Sequence, residues 1–153
     1  MIRINKLISI LQRKNLYIFT CMSQTTKMAW VYQEPTYTFP SDYSDKYLGE
    51  KVYEILSYSK QGIPHPEKLP DDTKDLLKAA NVKSRKQLHE GSIGISVSFK
   101  GDNAILAPSV NMGSRKGFWH VKDLPPIELN REEFCANPEF AGKKIRECLL
   151  LCK

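Results

Sequence analysis

Residues 92–108, SIGISVSFKGDNAILAP, decide how this chain of 153 residues folds. The first half of the stretch alternates apolar with small or polar residues, which is the pattern of a half-buried strand. Its apolar positions are Ile93, Ile95, Val97 and Phe99. The residues KGDN then favour a turn, and AILAP returns as a second strand. The stretch therefore predicts a β-hairpin.

Helical patterns lie on both sides of this hairpin. SDKYLGEKVYEILSYS (44–59) places apolar residues on one helical face, and PDDTKDLLKAANV (70–82) has a proline and acids at its start and Asn81 near its end. SRKQLHEG (84–91) is a short third helix that stops at glycine. NPEFAGKKIRECLLLC (137–152) begins with a capping asparagine and a proline, so it predicts a C-terminal helix.

Short strands complete the predicted architecture. AWVY (29–32) precedes an aromatic loop, TYTFPSDY (36–43), whereas FWHV (118–121) and PIEL (126–129) follow the hairpin. NMGSRKG (111–117) then lies between strands as a glycine-containing loop. The order predicts an α+β fold in which a small antiparallel sheet packs with N-terminal helices and a C-terminal helix.

The first 21 residues, MIRINKLISILQRKNLYIFTC, differ from the rest in charge. They contain four basic residues and no acid, so the net charge of +6 falls to +2 without them. The stretch has features of a signal peptide, of an upstream over-translation that ends before Met22, and of a loosely attached helix. We assign residues 1–21 to an N-terminal extension and residues 22–153 to a single domain.

Catalytic and metal-binding patterns are absent from the sequence. Three histidines, His65, His89 and His120, stand far apart, and no nucleophile elbow, Walker A, dinucleotide or zinc-protease motif occurs. The four cysteines have no zinc spacing, and Cys148 and Cys152 are four residues apart on one helix face, which is poor geometry for a disulfide. No apolar run reaches the length of a membrane span. The sequence favours a protein that is not an enzyme and needs no cofactor.

Three stretches resemble one family. They are VKSRKQLHEGSIGISVSF (82–99), ILAPSVNMGSRKGFW (105–119) and PIELNREEFCANPEFAGKKIRECLLLC (126–152), and YLGEKVYEILSYS (47–59) matches further upstream. Over residues 28–153 the chain resembles the immunity proteins of bacterial contact-dependent growth inhibition systems, the CdiI family, in the branch whose partners are EndoU-type nuclease toxins. The matching positions of the last helix are Pro138, Glu139, Gly142, Ile145, Leu149 and Cys152.

The resemblance implies a cytoplasmic protein that binds and neutralises one cognate toxin domain, without catalysis, a cofactor or a small-molecule ligand. Exposed basic and aromatic residues are the candidate toxin contacts: Arg85, Lys86, Arg115, Lys116, Trp119 and His120. The alternative function is nucleic-acid binding through the basic clusters at Lys83–Lys86 and Arg115–Lys116. In either case we expect Trp119 to point into the core and Phe118 outward, or the reverse, because neighbouring strand residues face opposite sides.

Overall fold

A computed structural model describes residues 4–153 of the chain. The strands are β1 (Lys6–Arg13), β2 (Leu16–Thr25), β3 (Trp30–Pro40), β4 (Gln61–Ile63), β5 (Ser92–Lys100), β6 (Asn103–Pro108), β7 (Val110–Asn111), β8 (Phe118–Trp119) and β9 (Ile127–Asn130). The helices are α1 (Asp45–Tyr58), α2 (Thr73–Ala80), α3 (Arg85–His89), α4 (Arg131–Ala136) and α5 (Pro138–Leu151). The predicted α+β class is confirmed.

One sheet contains seven of these strands, and β1 lies at its centre. The order is β3-β2-β1-β5-β6-β9 with antiparallel neighbours, and the short β4 pairs in parallel with the end of β2. The predicted hairpin of β5 and β6 is present, with Ser98 opposite Ile105. Strands β7 and β8 form a separate two-stranded ribbon.

Helices α1 and α5 cover one face of the sheet, which we call the first face. Ile8, Ile10 and Phe19 from the sheet have no solvent exposure there, and they share a core with Val52 and Ile145 from the helices. Burial of such side chains supplies the main favourable free energy of the fold.

The two core helices cross at two glycines. A Cβ atom at Gly49 would lie 1.9 Å from the Pro138 carbonyl oxygen, and one at Gly142 would lie 1.9 Å from that of Asp45. Only a residue without a side chain allows the two backbones to come this close. An ion pair between Arg146 and Asp45 joins the same two helices.

The opposite side, which we call the second face, is covered only in part. Helix α2 packs on β2 and β3, and α3 packs on β5. A smaller apolar cluster forms beneath them from Leu11, Ile18, Ala80 and Leu88, with Phe118 packed against it. The sheet is therefore a two-faced layer with a large core on one side and a small one on the other.

The structure contradicts the loosely attached helix predicted for the first 21 residues. Met1–Arg3 lie outside the described part of the chain. The rest of the first 21 residues forms β1 and most of β2. Their hairpin turns at Lys14, whose φ is 55°, and the polar residues there are a turn between two strands. Because these strands carry buried residues of the main core, the described part of the supposed extension belongs to the fold.

A second difference lies at β3, which extends through residues predicted as a loop. Pro35 and Pro40 suggested a loop, but β3 is the edge strand of the sheet. A proline is tolerated on an edge strand because its missing N–H is not needed for a ladder bond on the outer side. The sheet is therefore larger than predicted, and its three leading strands precede the first helix.

Candidate functional site

A groove on the second face lies between the β7–β8 ribbon and helices α2 and α3. Its volume is about 320 Å³. The floor consists of sheet residues, among them Ser9, Leu11 and Ser96. Asp72, Arg85, His89 and His120 supply the polar side chains, and Leu76, Leu88 and Phe118 supply apolar walls. We call this the ribbon groove.

The ribbon is held against the sheet by one amide. Asn111 Nδ2 donates to the carbonyl oxygens of His89, at 2.6 Å, and of Ser92, at 2.9 Å. Phe118, opposite Asn111, stacks on the His89 ring with centroids 5.0 Å apart. These contacts fix the ribbon relative to α3 and thereby set the width of the groove.

Two histidines of the groove have their orientation set by main-chain acceptors. His89 Nδ1 lies 2.8 Å from the Arg85 carbonyl oxygen, and His120 Nδ1 lies 2.9 Å from that of Pro108. A carbonyl oxygen only accepts, so in each ring Nδ1 carries the proton and donates. Both rings therefore make structural contacts with the main chain.

Asp72 is the acidic group of the groove. Burial, followed by the nearby charge of Asp71, raises the pKa of Asp72 above its usual range. It stands at the N-cap position of α2, but its side chain makes no capping hydrogen bond. The carboxylate is thus left in the groove, near Arg85.

The loop of the ribbon presents the basic residues. Gly113 and Gly117 have φ values of 89° and 77°, and Gly117 N donates to Gly113 O at 2.7 Å, so both glycines serve the tight turn as predicted. Arg115 and Lys116 between them are exposed.

Trp119 does not point into the core. Its side chain is 54% exposed, while Phe118 turns inward against the smaller apolar cluster. Of the two arrangements expected from strand alternation, the one with Phe118 inward and Trp119 outward is present, so Trp119 has no core position. The indole Nε1 donates to the Lys116 carbonyl oxygen at 2.6 Å, which fixes the exposed ring in one orientation.

The six residues predicted as contacts are all exposed on the second-face side of the ribbon or on α3, but only two line the groove. Those two are Arg85 and His120. Trp119, Arg115 and Lys116 lie on the adjoining ribbon, and Lys86 lies beside Arg85 on α3, outside the groove lining. Sequence reasoning missed Asp72, His89, Phe118 and the floor residue Ser9, and the last could not be found while β1 was placed outside the domain.

The cysteines do not form a reactive centre. All four are free thiols, in accordance with the predicted poor geometry of the Cys148–Cys152 pair. Burial raises the pKa of Cys21 to about 11 and that of Cys148 to about 12, so both remain protonated near neutral pH.

Within residues 4–153, no group of three or more histidine, cysteine or acidic side chains is arranged to hold a metal ion. None of the helices in the same range has the length and apolarity needed to cross a bilayer.

Two solved structures have this fold over almost the whole chain. One is a protein of unknown function from Neisseria meningitidis, with 15% sequence identity and a TM-score of 0.76, covering 97% of this chain and 96% of that one. The other belongs to the CdiA-CT/CdiI toxin and immunity complex from Yersinia pseudotuberculosis, with 15% identity and a TM-score of 0.76, covering 100% of both chains. No protein-family model and no curated protein matches the sequence.

At this identity the likeness establishes a shared fold. The chain therefore has the fold of a component of a toxin and immunity complex, which the sequence resemblance predicted. The EndoU-type nuclease partner stays a prediction.

Proposed function

We propose that this chain is an immunity protein that binds the toxin domain delivered by a neighbouring cell and blocks its activity. The toxin is a nuclease of the EndoU type, and inhibition is stoichiometric, in the cytoplasm, without catalysis or a cofactor. The observation that carries the proposal is the full-length fold similarity to a chain of the CdiA-CT/CdiI complex. Of the two proteins in such a complex, the sequence resemblance over residues 28–153 favours the immunity protein.

The ribbon and the ribbon groove are the proposed toxin contact. Exposed tryptophan and arginine residues carry much of the binding energy in protein interfaces, and a side chain that is already fixed loses little entropy on binding. Trp119 meets this description because its ring is exposed yet anchored to Lys116. Arg115 lies on the loop of the same ribbon, Arg85 and His120 line the adjoining groove, and Lys86 lies on α3 outside the groove lining.

Co-expression tests the function directly. The chain is produced together with its candidate toxin domain, and growth and complex formation are measured. We expect protection and a stable complex of the two proteins. A chain that neither protects the cells nor forms a complex would refute the proposal.

A double substitution of the ribbon locates the contact. Replacing Arg115 and Lys116 by alanine should weaken the complex, because both side chains are exposed and available to an acidic patch. The matched control replaces Lys143 and Lys144 on α5, another adjacent basic pair at the surface. Equal affinity of both double variants and the unmodified protein would leave the loop as a plain connector.

A second candidate function is nucleic-acid binding, and one feature of the structure favours it. A concave surface of about 650 Å³ brings Arg13 and Lys14 of the first hairpin next to Lys83, with Glu90 as its acidic residue. Arg13 Nε is buried there without a hydrogen-bond partner. Together with Arg85, Lys86, Arg115 and Lys116 these cations could contact phosphates.

Salt dependence distinguishes this candidate from the first. Binding of RNA or single-stranded DNA through phosphates should weaken steeply as salt rises, by about 10³-fold or more between 50 and 200 mM for six or more phosphate contacts. No mobility shift at the lower salt concentration would remove nucleic acid as the partner.

A further inference from the structure

The middle of the second face carries six half-buried residues on three neighbouring strands. Ser9, Ser96 and Ala107 form one row across β1, β5 and β6, and Leu7, Ser98 and Ile105 form the next row. All six keep contact with solvent, whereas their neighbours Ile8, Val97 and Leu106 on the first face are buried. We call these two rows the open strip.

The open strip joins two concavities. Ser9 and Ser96 belong to the floor of the ribbon groove, and Leu7 and Ser98 belong to a second pocket of about 380 Å³. Residues two apart on a strand share a face at a distance of about 7 Å. The ribbon groove and this second pocket are therefore the two ends of one continuous depression across the sheet.

Small side chains make the strip shallow and accessible. Four of its six residues are serine or alanine, which project little from the backbone. A segment of another protein can approach the sheet closely there and bury Leu7 and Ile105, which gain free energy when removed from water. Trp30, at the wall of the second pocket, adds a large apolar surface.

The second pocket has a definite charge. Lys6 and Lys100 line it, and no acidic residue does. Lys100 is exposed, whereas Lys6 Nζ donates to the Ser59 carbonyl oxygen at 2.8 Å. Lys100 is therefore the cation available to an incoming carboxylate.

The same pocket contains an unsatisfied polar group. Gln24 is only 5% exposed and lines the pocket, yet its Oε1 has no hydrogen-bond partner among residues 4–153. Nearly all buried polar atoms in folded proteins are paired, so an orphaned amide beside a cavity needs an explanation. Its place in the pocket lining suits a hydrogen bond from a donor of a bound partner.

We propose that the open strip is the docking surface for one segment of the toxin domain. The segment has small or apolar side chains over the strip, a carboxylate that meets Lys100, and a hydrogen-bond donor that meets Gln24. This inference rests on the proposed function and names the surface and the partner chemistry that serve it. It extends the contact from the ribbon to the far end of the sheet.

Filling the strip is the first test. The dissociation constant for the candidate toxin domain of the co-expression test is measured by titration calorimetry for the unmodified protein, for Ser96→Trp and for Ser57→Trp. Ser57 is an exposed serine of α1, on the first-face side, and serves as the matched control. We expect Ser96→Trp to bind at least about tenfold more weakly and Ser57→Trp to bind unchanged, because an indole at Ser96 would keep the segment away from the strip.

Charge reversal supplies a test that does not endanger the fold. Lys100 and Lys46 are both exposed, and Lys46 lies on α1, on the other side of the sheet. Lys100→Glu should weaken the complex at least about tenfold, and the loss should shrink as salt rises, whereas Lys46→Glu should not. Equal binding by both reversals and by Ser96→Trp overturns the docking surface.

Gln24→Leu tests whether the Gln24 amide contributes to toxin binding. Removing an unpaired buried acceptor should leave the melting temperature unchanged or raise it, while the affinity for the toxin domain falls. A variant that melts higher and binds as tightly as before overturns the role of Gln24. If the unmodified protein itself fails to bind, the proposed function and the docking surface both fall; if only the variants are indifferent, the docking surface alone falls.

Discussion

Removal of residues 1–21, so that the chain begins at Met22, is the strongest test of the fold. The shortened chain lacks the central strand β1 and more than half of β2, so β5 loses its partner on one side and β3 keeps only the end of β2 as a ladder partner. Four of the side chains removed have no solvent exposure: Ile8, Ile10, Ile18 and Phe19. We expect the chain from Met22 to lack a cooperative folded state.

The magnitude follows from the buried surface. Fully burying an aliphatic or aromatic side chain is worth about 1.5–3 kcal/mol, so the four together contribute about 6–12 kcal/mol. The whole stability of a domain is about 5–15 kcal/mol. Loss of these four side chains therefore removes a free energy comparable to the whole stability of the domain. The lost strand pairing adds to this cost.

Circular dichroism, thermal unfolding and gel filtration of the full chain and of residues 22–153 provide the assay. A truncated chain that is monomeric and melts cooperatively near the temperature of the full chain would refute the reasoning. A point variant gives the same test at smaller scale. Ile10→Ala should cost about 2–5 kcal/mol, whereas Gln12→Ala, at the half-buried end of the same strand, should cost less than about 1 kcal/mol.

Three further predictions concern single side chains. Trp119→Ala should weaken the toxin complex by about 2 kcal/mol or more and leave the melting temperature unchanged, because the ring is 54% exposed. Calorimetry measures the affinity, and a thermal melt measures the stability. An unchanged affinity argues against the ribbon contact. Gly49→Ala should destabilise the protein by more than about 3 kcal/mol in urea unfolding, because the added Cβ would lie 1.9 Å from the Pro138 carbonyl oxygen. Alanine in place of glycine within a helix ordinarily stabilises by about 0.5–1 kcal/mol. A stabilised variant would therefore contradict the close crossing of the two helices. Asp72→Asn should raise the melting temperature at pH 7, because a carboxyl whose pKa is raised on folding destabilises the folded state when it is ionised. The gain should disappear as the pH falls through the raised pKa towards 3.8. A gain in melting temperature that does not depend on pH would refute this cause.

The elements that could be predicted from the sequence are those with one apolar side. Helix α5 and the β5–β6 hairpin each bury one face, so their periods of about 3.6 and 2 residues are visible in the sequence. The predicted C-cap at Asn81 is present with left-handed φ and ψ. Amphipathic patterns survive because solvent lies on the other side of the element.

Strand β1 escaped prediction for the converse reason. Ile8 and Ile10 face the main core, while Leu7 and Leu11 face the opposite side, so the strand has an apolar run that only Ser9 interrupts. Alternation cannot be seen when both faces of a central strand are apolar. The polar residues around Lys14, which interrupt this apolar stretch, form the turn that joins two strands of the sheet.

The candidate site depends on the same strand, and this changes how the charge of the chain is understood. The sequence supplied residues of the right type on the ribbon, but β1 supplies Ser9 and Leu11 to the groove and Arg13 to the neighbouring basic surface. Setting residues 1–21 aside lowered the net charge from +6 to +2 and so weakened the case for an anionic partner. Since Arg13 and Lys14 lie beside Lys83, this part of the charge belongs to the second face. A toxin that docks there must bring acidic residues to this face even if its catalytic surface is basic. The salt dependence and the charge reversals therefore decide whether the partner is a protein or a nucleic acid.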